Sequence, residues 1–421
     1  MNRFTKRITA SAVAAALALP MAANATNGTN LIGVTAASRA MGGTDIGISR
    51  GAGSSLGNPS LITSVEATEV TFGGTLFMPS VKTDGGNPSG EVSSDADTFV
   101  VPSMGFATKA NDNFYWGIGM YGVSGMGVDY RKDGTYDPTT ANAASNMVTN
   151  LQVMQMAVPL AYKTKGFSIG VTPLLEYAAL DAQTWLDTDS NGSPDTFAGN
   201  GTQQVLEFGF NLGLAYTTGG LTIGAVYKSE IELNFKDQLQ QARDGLYTAA
   251  GGTCTSAGCA GDMILTQPAE IGLGASYVMG PHTFALDWKQ IQYKDSKDWG
   301  TFGWDNVDVF ALGYQYDGGK WTVRAGYNQG SNPISDQSPG PGGSGYGVNY
   351  FNLVGFPAIV EQHYTIGGSY DINKQMTLDL AFSYAPEVSQ TLNGFVPPAT
   401  STQITTKHSQ TALGANLNFA F

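Results

Sequence analysis

Three groups of residues have types and spacings suited to chemistry. Asp187-Thr188-Asp189-Ser190-Asn191-Gly192-Ser193-Pro194-Asp195 follows a D-x-D-x-N-G-x-x-D pattern. In such loops, oxygens at alternate positions curl round a calcium ion and the glycine permits the sharp turn. Asp187, Asp189, Asn191 and Asp195 are therefore candidate calcium ligands, although Ala198 stands where the bidentate closing carboxylate belongs, and a solvated polar turn fits the same residues. Cys254 and Cys259 lie close together without a histidine nearby, which in an oxidising compartment predicts a loop-stapling disulfide rather than a metal site. His282, His363 and His408 are scattered and belong to no nucleophile motif, so the chain is not expected to be an enzyme. Apart from calcium, no cofactor is expected.

The elements that must position these groups begin after an export signal. Arg3, Lys6 and Arg7 precede an apolar stretch that ends in Ala23-Asn24-Ala25, the pattern of a secretory signal peptide over residues 1–25. Its removal leaves 18 cations against 34 acids, a net charge of −16, which argues against a nucleic-acid partner. Beyond the signal, glycine or a polar residue interrupts each apolar run before it reaches the roughly 18 residues of a spanning helix, so a membrane span must be a closed barrel. The chain carries 55 Gly and 19 Tyr with only 13% charged residues, a composition that suits barrel strands with aromatic girdles. A secreted all-β sandwich or propeller is the alternative. Leu413, Ala415, Leu417, Phe419 and Phe421 alternate with Gly414, Asn416, Asn418 and Ala420, and this period of two ending on phenylalanine favours the barrel.

Alternation and turn residues together predict about fourteen antiparallel strands, at 68–81, 97–109, 114–130, 147–164, 167–183, 203–217, 221–235, 263–279, 283–294, 307–316, 321–330, 361–372, 376–385 and 407–421. Asn111-Asp112-Asn113, Lys165-Gly166, Gly219-Gly220, Gly280-Pro281, Gly318-Gly319 and Asn373-Lys374 read as tight periplasmic turns. Longer stretches at 186–202, 236–262, 331–360 and 386–406 read as outer loops. Successive strand residues face opposite sides, which sends Trp321, Val323, Phe310, Leu312, Phe284 and Leu286 to lipid. Glu176, Glu207, Lys228, Glu230, Asp287, Lys289, Arg324 and Asp379 then face the lumen, where ions belong. A mutual salt-bridge network accounts for these charges. A sharper expectation is that Lys228 or Arg324 reads a carboxylate, with Glu207 and Asp287 as further ligand or plug contacts.

Residues 26–67 alternate poorly and are small and glycine-rich, so they are expected to form a compact plug inside a barrel spanning 68–421, with a periplasmic tail as the alternative. Ser38-Arg39-Ala40-Met41-Gly42-Gly43 leading to Asn58-Pro59-Ser60 resembles the hatch of the FadL-type outer-membrane transporters, whose hallmark is Asn-Pro-Ala, with serine here at the third position. The stretch from Asn306 to Pro333 and the closing Leu413 to Phe421 are similar to that family's strands as well.

The resemblance implies an all-β membrane protein, a fourteen-stranded transmembrane barrel with an N-terminal hatch, in the bacterial outer membrane. It also implies uptake of long-chain fatty acids or related hydrocarbons: capture at outer loops, passage to a lumenal pocket, and lateral exit beside a kinked third strand. That strand, Phe114 to Val128, is rich in glycine, and glycine in a strand interior weakens pairing or marks a bulge. The opening is expected near Tyr121, Gly122 and Gly125, although wall glycines packed against a hatch fit as well. Expected partners are a hydrophobic ligand (fatty acid, hydrocarbon or detergent), the bilayer and lipopolysaccharide, with the chain a monomer. An aqueous porin and a structural or adhesin barrel are the rival functions, and a plug of this length argues against an open porin.

Overall fold

The computed structural model describes residues 27–86, 90–131, 146–186, 196–199, 201–236, 264–340, 344–396 and 399–421. The expected signal peptide, the calcium-type residues Asp187, Asp189, Asn191 and Asp195, and the Cys254–Cys259 pair lie outside them. In chain order the strands are β1 (Thr68–Thr83), β2 (Val92–Ser93), β3 (Phe99–Lys109), β4 (Phe114–Asp129), β5 (Val148–Ala157), β6 (Leu160–Thr164), β7 (Phe167–Leu186), β8 (Thr196–Ala198), β9 (Gln203–Thr218) and β10 (Leu221–Lys228). They continue as β11 (Ile231–Asn234), β12 (Ile264–Gln267), β13 (Glu270–Met279), β14 (His282–Ile291), β15 (Val307–Asp317), β16 (Trp321–Gly330), β17 (Gln362–Asn373), β18 (Met376–Val396) and β19 (Ala399–Ala420).

With β5 and β6 forming one stave, fourteen staves pair antiparallel with their sequence neighbours, and β1 closes on β19 from Glu69↔Ala420 to Thr83↔Thr406. Pairing of the first strand with the last removes the terminal edges of the sheet, the condition for crossing lipid with strands. Among the described residues, no helix is long and apolar enough to cross a membrane. The period-two reading of the faces holds within the wall strands: Phe284, Leu312 and Trp321 are 48%, 52% and 46% exposed, whereas Asp287 and Arg324 are 4% and 9% exposed; Glu230, expected to face the lumen, lies past the end of β10 at Lys228 and is exposed.

Four expected strand boundaries differ, each for a local reason. The expected strand 147–164 is interrupted at Val158-Pro159 and that at 263–279 at Pro268-Ala269, since proline cannot donate to a ladder. The expected strand 221–235 leaves the wall after Lys228, and β11 and β12 form a separate two-stranded ribbon whose Ile231, Leu233 and Leu265 are buried. The expected loop 386–406 is instead mostly a continuation of the last hairpin, paired from Val388↔His408 to Val396↔Ala399. A bulge between Ala385 and Val388 flips which residues face inward, so the alternation read from the sequence stops at Pro386 while the ladder continues.

The expected outer loop 331–360 also folds inward. It carries a short helix (Ser344–Tyr350) and a π turn (Phe351–Gly355). Leu353, Val354 and Phe356 sit in the main apolar cluster with Tyr130, Tyr293, Trp299, Trp304, Leu233 and Phe235. Burial of such side chains is worth roughly 1.5–3 kcal/mol each, which holds this segment in the mouth of the barrel.

Candidate functional site

The candidate site is built where the N-terminal segment meets the inner wall. Residues 27–67 contain one helical turn (Ala36–Arg39) and two 3-10 turns (Gly51–Ser55 and Pro59–Ser64), and most of their side chains are buried. Their partners lie round the whole ring. The backbone N–H of Ala36 donates to Asn416 on β19 at 2.8 Å, that of Gly42 to Thr365 on β17 at 3.0 Å, and that of Ala52 to Glu69 on β1 at 3.2 Å. Ser276 on β13 donates to Gly47 O at 2.6 Å, Thr172 on β7 to Ser55 O at 3.1 Å, and Tyr121 on β4 to Ala52 O at 3.2 Å.

Inward-facing glycines let this backbone approach the wall. A Cβ on Gly224 would stand 1.9 Å from Ile46 O, on Gly326 2.1 Å from Gly42 N, on Gly274 2.6 Å from Gly47 N, and on Gly170 2.5 Å from the Pro59 carbonyl carbon. Those distances leave no room for a side chain of any kind. Asn58 locks the same region. Its Oδ1 accepts from Ser60 N (3.1 Å) and Ser60 Oγ (2.7 Å), capping the turn that begins at Pro59, while its Nδ2 donates to Ile46 O (2.8 Å) and to Leu214 O on β9 (3.1 Å). Asn58-Pro59-Ser60 thus joins two parts of the segment to the barrel wall.

Of the lumenal charges, Asp287 accepts from the backbone N–H of Asp45 (2.7 Å) and of Ile46 (2.8 Å) through one oxygen. Asp45 itself pairs with Arg50 at 3.2 Å and accepts from Ser38. Burial pushes the Asp45 carboxyl upward, while Arg50 and Ser38 pull it down. Lys228 (3.1 Å) and Lys289 (3.6 Å) share Glu270, which also accepts from Asn30 at 2.8 Å. Asn30, Asp45, Lys228, Glu270, Asp287 and Lys289, with Leu31, Leu56, Val123 and Val226, line a cavity of about 80 Å³ between segment and wall.

Lys228 and Asp287 therefore share one cavity, and Glu207 and Arg324 are not among its lining residues. Glu207 stands half-buried opposite Glu176 in the β7–β9 register. Arg324 donates to Gln315 at 2.8 Å and to Ser369 at 2.5 Å, and pairs with Asp379 at 3.5 Å. Sequence reading did not nominate Glu270, although the expected strand 263–279 contains it and parity with Gly272 and Gly274 places it inward. Asn30 carried no comparable signal.

The wall itself changes beside the cavity. Pairing between β3 and β4 ends at Ser103↔Tyr121, although β3 continues to Phe99 against β1 and β4 continues to Asp129 against β5. The β4–β5 register shifts between Gly122 and Ser124, as a one-residue bulge does. Beyond that point the N-terminal segment takes the place of β3: Leu31 N donates to Val123 O (3.1 Å), Gly125 N to Thr29 O (3.0 Å), and Ser124 Oγ to Thr29 O (3.0 Å). Tyr121, Gly122 and Gly125 sit at this seam. A Cβ on Gly122 would lie 2.4 Å from Val101 Cγ1 across it.

Comparison with known proteins places this architecture. The long-chain fatty acid transport protein of Escherichia coli (strain K12) is 24% identical over 86% of this chain and 87% of its own length. The toluene transporter TodX of P. putida superposes with a TM-score of 0.68 at 17% identity, covering 93% of this chain and 99% of that one. A Pseudomonas aeruginosa FadL homologue superposes at 0.69 and 14% identity, covering 94% and 100%. The structural likenesses carry the fold: a closed, fourteen-stranded outer-membrane barrel. With a match over residues 8–421 to the model of the outer membrane protein transport protein family (OMPP1/FadL/TodX), the chain belongs to that family and resides in the bacterial outer membrane.

Proposed function

We propose that this chain carries apolar small molecules, of the fatty-acid or monoaromatic class named for its relatives, inward across the outer membrane, with residues 27–67 acting as a movable hatch. The observation that carries this reading is the seam at Tyr121, where the Thr29–Leu31 backbone rather than β3 satisfies the edge of β4. A wall edge closed by a plug opens when the plug moves, and the opening faces the lipid. That geometry suits a ligand that leaves sideways into the bilayer.

The cavity size supports a gated path. At about 80 Å³ it is smaller than the roughly 150 Å³ that accommodates benzene in an apolar site. A ligand therefore enters only as the hatch gives way, and its apolar area then contributes about 25 cal/mol per Å² buried. An aqueous porin requires an open lumen, which the buried N-terminal segment argues against.

The test is uptake of labelled oleate and labelled toluene by cells bearing wild type, Gly122→Leu or Gly125→Leu at equal surface abundance. Side chains at the seam are expected to cut uptake to the level of cells lacking the protein while the heat-resistant folded barrel is retained. Wild-type uptake by folded Gly122→Leu and Gly125→Leu would remove the lateral route. No uptake of either compound by the wild type would remove the transport reading.

A further inference from the structure

The stretch Asn27–Leu31 that closes the seam is also gripped by a residue of the barrel mouth. Tyr293, just past the end of β14, is fully buried. Its hydroxyl accepts from Thr29 N at 2.7 Å, meets Thr29 Oγ1 at 3.0 Å and donates to Asn27 O at 3.3 Å. Gly28 has a φ of +65°, and a Cβ there would stand 2.4 Å from that hydroxyl oxygen. The backbone therefore lies directly against the tyrosine, an approach that a side chain at position 28 would block.

The ring of Tyr293 is in turn wedged in the mouth. Its centroid lies 5.1 Å from that of Trp304 and 5.6 Å from that of Trp299, and the two indoles are 4.2 Å apart. The inward-folded segment 344–360 closes on this cluster. Asn352, 1% exposed, accepts from Trp304 Nε1 at 3.0 Å and donates to Phe302 O at 2.7 Å, so both ends of its amide are bonded to the turn that carries the indoles. Further along, Tyr130 donates to Val354 O at 3.2 Å, and Thr149 on β5 donates to Gly355 O at 2.5 Å. Tyr130 directly follows β4. The segment thus reaches both partners of the seam: Tyr293, which holds residues 27–29, and the outer ends of β4 and β5. Close-packed rings and satisfied hydrogen bonds form a contiguous network, the kind of contact that transmits a displacement rather than absorbing it.

We infer that residues 344–360 are a lid, and that Asn352, the two indoles and Tyr293 couple it to the seam, so that mouth and lateral wall open as one unit. Asn352 and Tyr293 are positioning residues here; neither has to touch the cargo. With the lid seated, Trp304 is pinned, Tyr293 cannot swing away from Thr29, and the Thr29–Leu31 backbone stays on the edge of β4. When the lid lifts, Trp304 loses its amide partner and Tyr293 its packing, and the grip on Thr29 loosens. This rests on the reading that the wall opens where residues 29–31 leave β4.

The test is hydrogen exchange, read by mass spectrometry on the full-length protein in nanodiscs without cargo. The Gly125 amide, which donates to Thr29 O at 3.0 Å, reports the seam. Asn352→Ala removes side-chain bonds that lie wholly within the mouth and strands a buried N–H and a buried carbonyl. Exchange at Gly125 is expected to rise about ten- to a hundredfold, with residues 45–47 unchanged because Asp287 holds them separately. Tyr293→Phe keeps the ring and removes the grip on Thr29. It should speed Gly125 by itself and abolish the further effect of Asn352→Ala in the double variant, since the link is then already cut. Should Asn352→Ala fail to fold, Trp304→Phe breaks the same bond and is read in the same way. Gly125 exchange equal to wild type in the folded lid variant would overturn the coupling, as would additive effects in the double variant. Either failure leaves the transport reading intact, because no cargo is present. Wild-type cells that take up no labelled toluene or oleate would remove the transport reading and leave the exchange result standing.

Discussion

Replacing Asp287 by alanine should release the hatch from the wall at one defined point. Its carboxylate accepts two backbone N–H bonds, from Asp45 at 2.7 Å and Ile46 at 2.8 Å, and both donor residues are buried. Charge-assisted bonds of this kind contribute about 1.5–3 kcal/mol each, so the gross loss is about 3–6 kcal/mol. Removing a buried carboxylate with one oxygen unpartnered recovers part of that desolvation, which leaves a net cost of about 2–4 kcal/mol. At about 1.4 kcal/mol per decade, the equilibrium between docked and released hatch shifts by about 30- to 1,000-fold. Hydrogen exchange read by mass spectrometry should show the peptide covering 45–47 exchanging faster by that factor, while peptides from β15 and β16 stay protected. Planar-bilayer recordings should show brief openings absent in wild type. Asp287→Asn keeps an acceptor oxygen without the charge and should cost about half as much. Unchanged exchange at 45–47 in Asp287→Ala would refute the anchoring role, whatever the conductance.

Three other perturbations address neighbouring contacts. Gly326→Ala puts a Cβ 2.1 Å from Gly42 N and 2.3 Å from the Met41 carbonyl carbon, so the hatch backbone must shift at a cost of about 1–3 kcal/mol, seen as faster exchange over 41–43 without loss of the barrel. Glu270→Gln leaves Lys228 and Lys289 without their shared carboxylate and should destabilise the hatch–wall contact by about 3 kcal/mol or more; a thermal midpoint equal to wild type would contradict it. Arg324→Ala breaks a largely buried pair with Asp379 and should lower the thermal midpoint, while ligand affinity stays at the wild-type value because Arg324 is not among the residues lining the cavity.

Much of the barrel is legible in the chain because its signals are local. Alternation along 307–316 or 321–330, and glycine or asparagine at the tight turns, depend on residues a few positions apart, and the observed strands Val307–Asp317 and Trp321–Gly330 follow them closely. Legibility fails where a local rule is interrupted. Pro386 and the adjacent bulge conceal the outer half of the last hairpin. It fails again at 344–360, where apolar residues inside a loop-like composition pack into the mouth rather than stay outside.

The sequence by itself determined an exported, all-β chain of about fourteen strands, the faces of the strand residues where no bulge intervenes, and the Asn58-Pro59-Ser60 resemblance. These follow from the period-two geometry of strands and the steric demands of turns, which any short window contains. Only the tertiary structure decided which inward groups meet. Asp287 finds Asp45 and Ile46 across more than 240 positions, Tyr121 marks where β3 yields its place to Thr29–Leu31, and Asn416 on β19 reaches the Ala36 backbone across 380 positions. Ring closure sets those meetings by fixing which strand stands opposite which stretch of the N-terminal segment, and no local pattern encodes that distance.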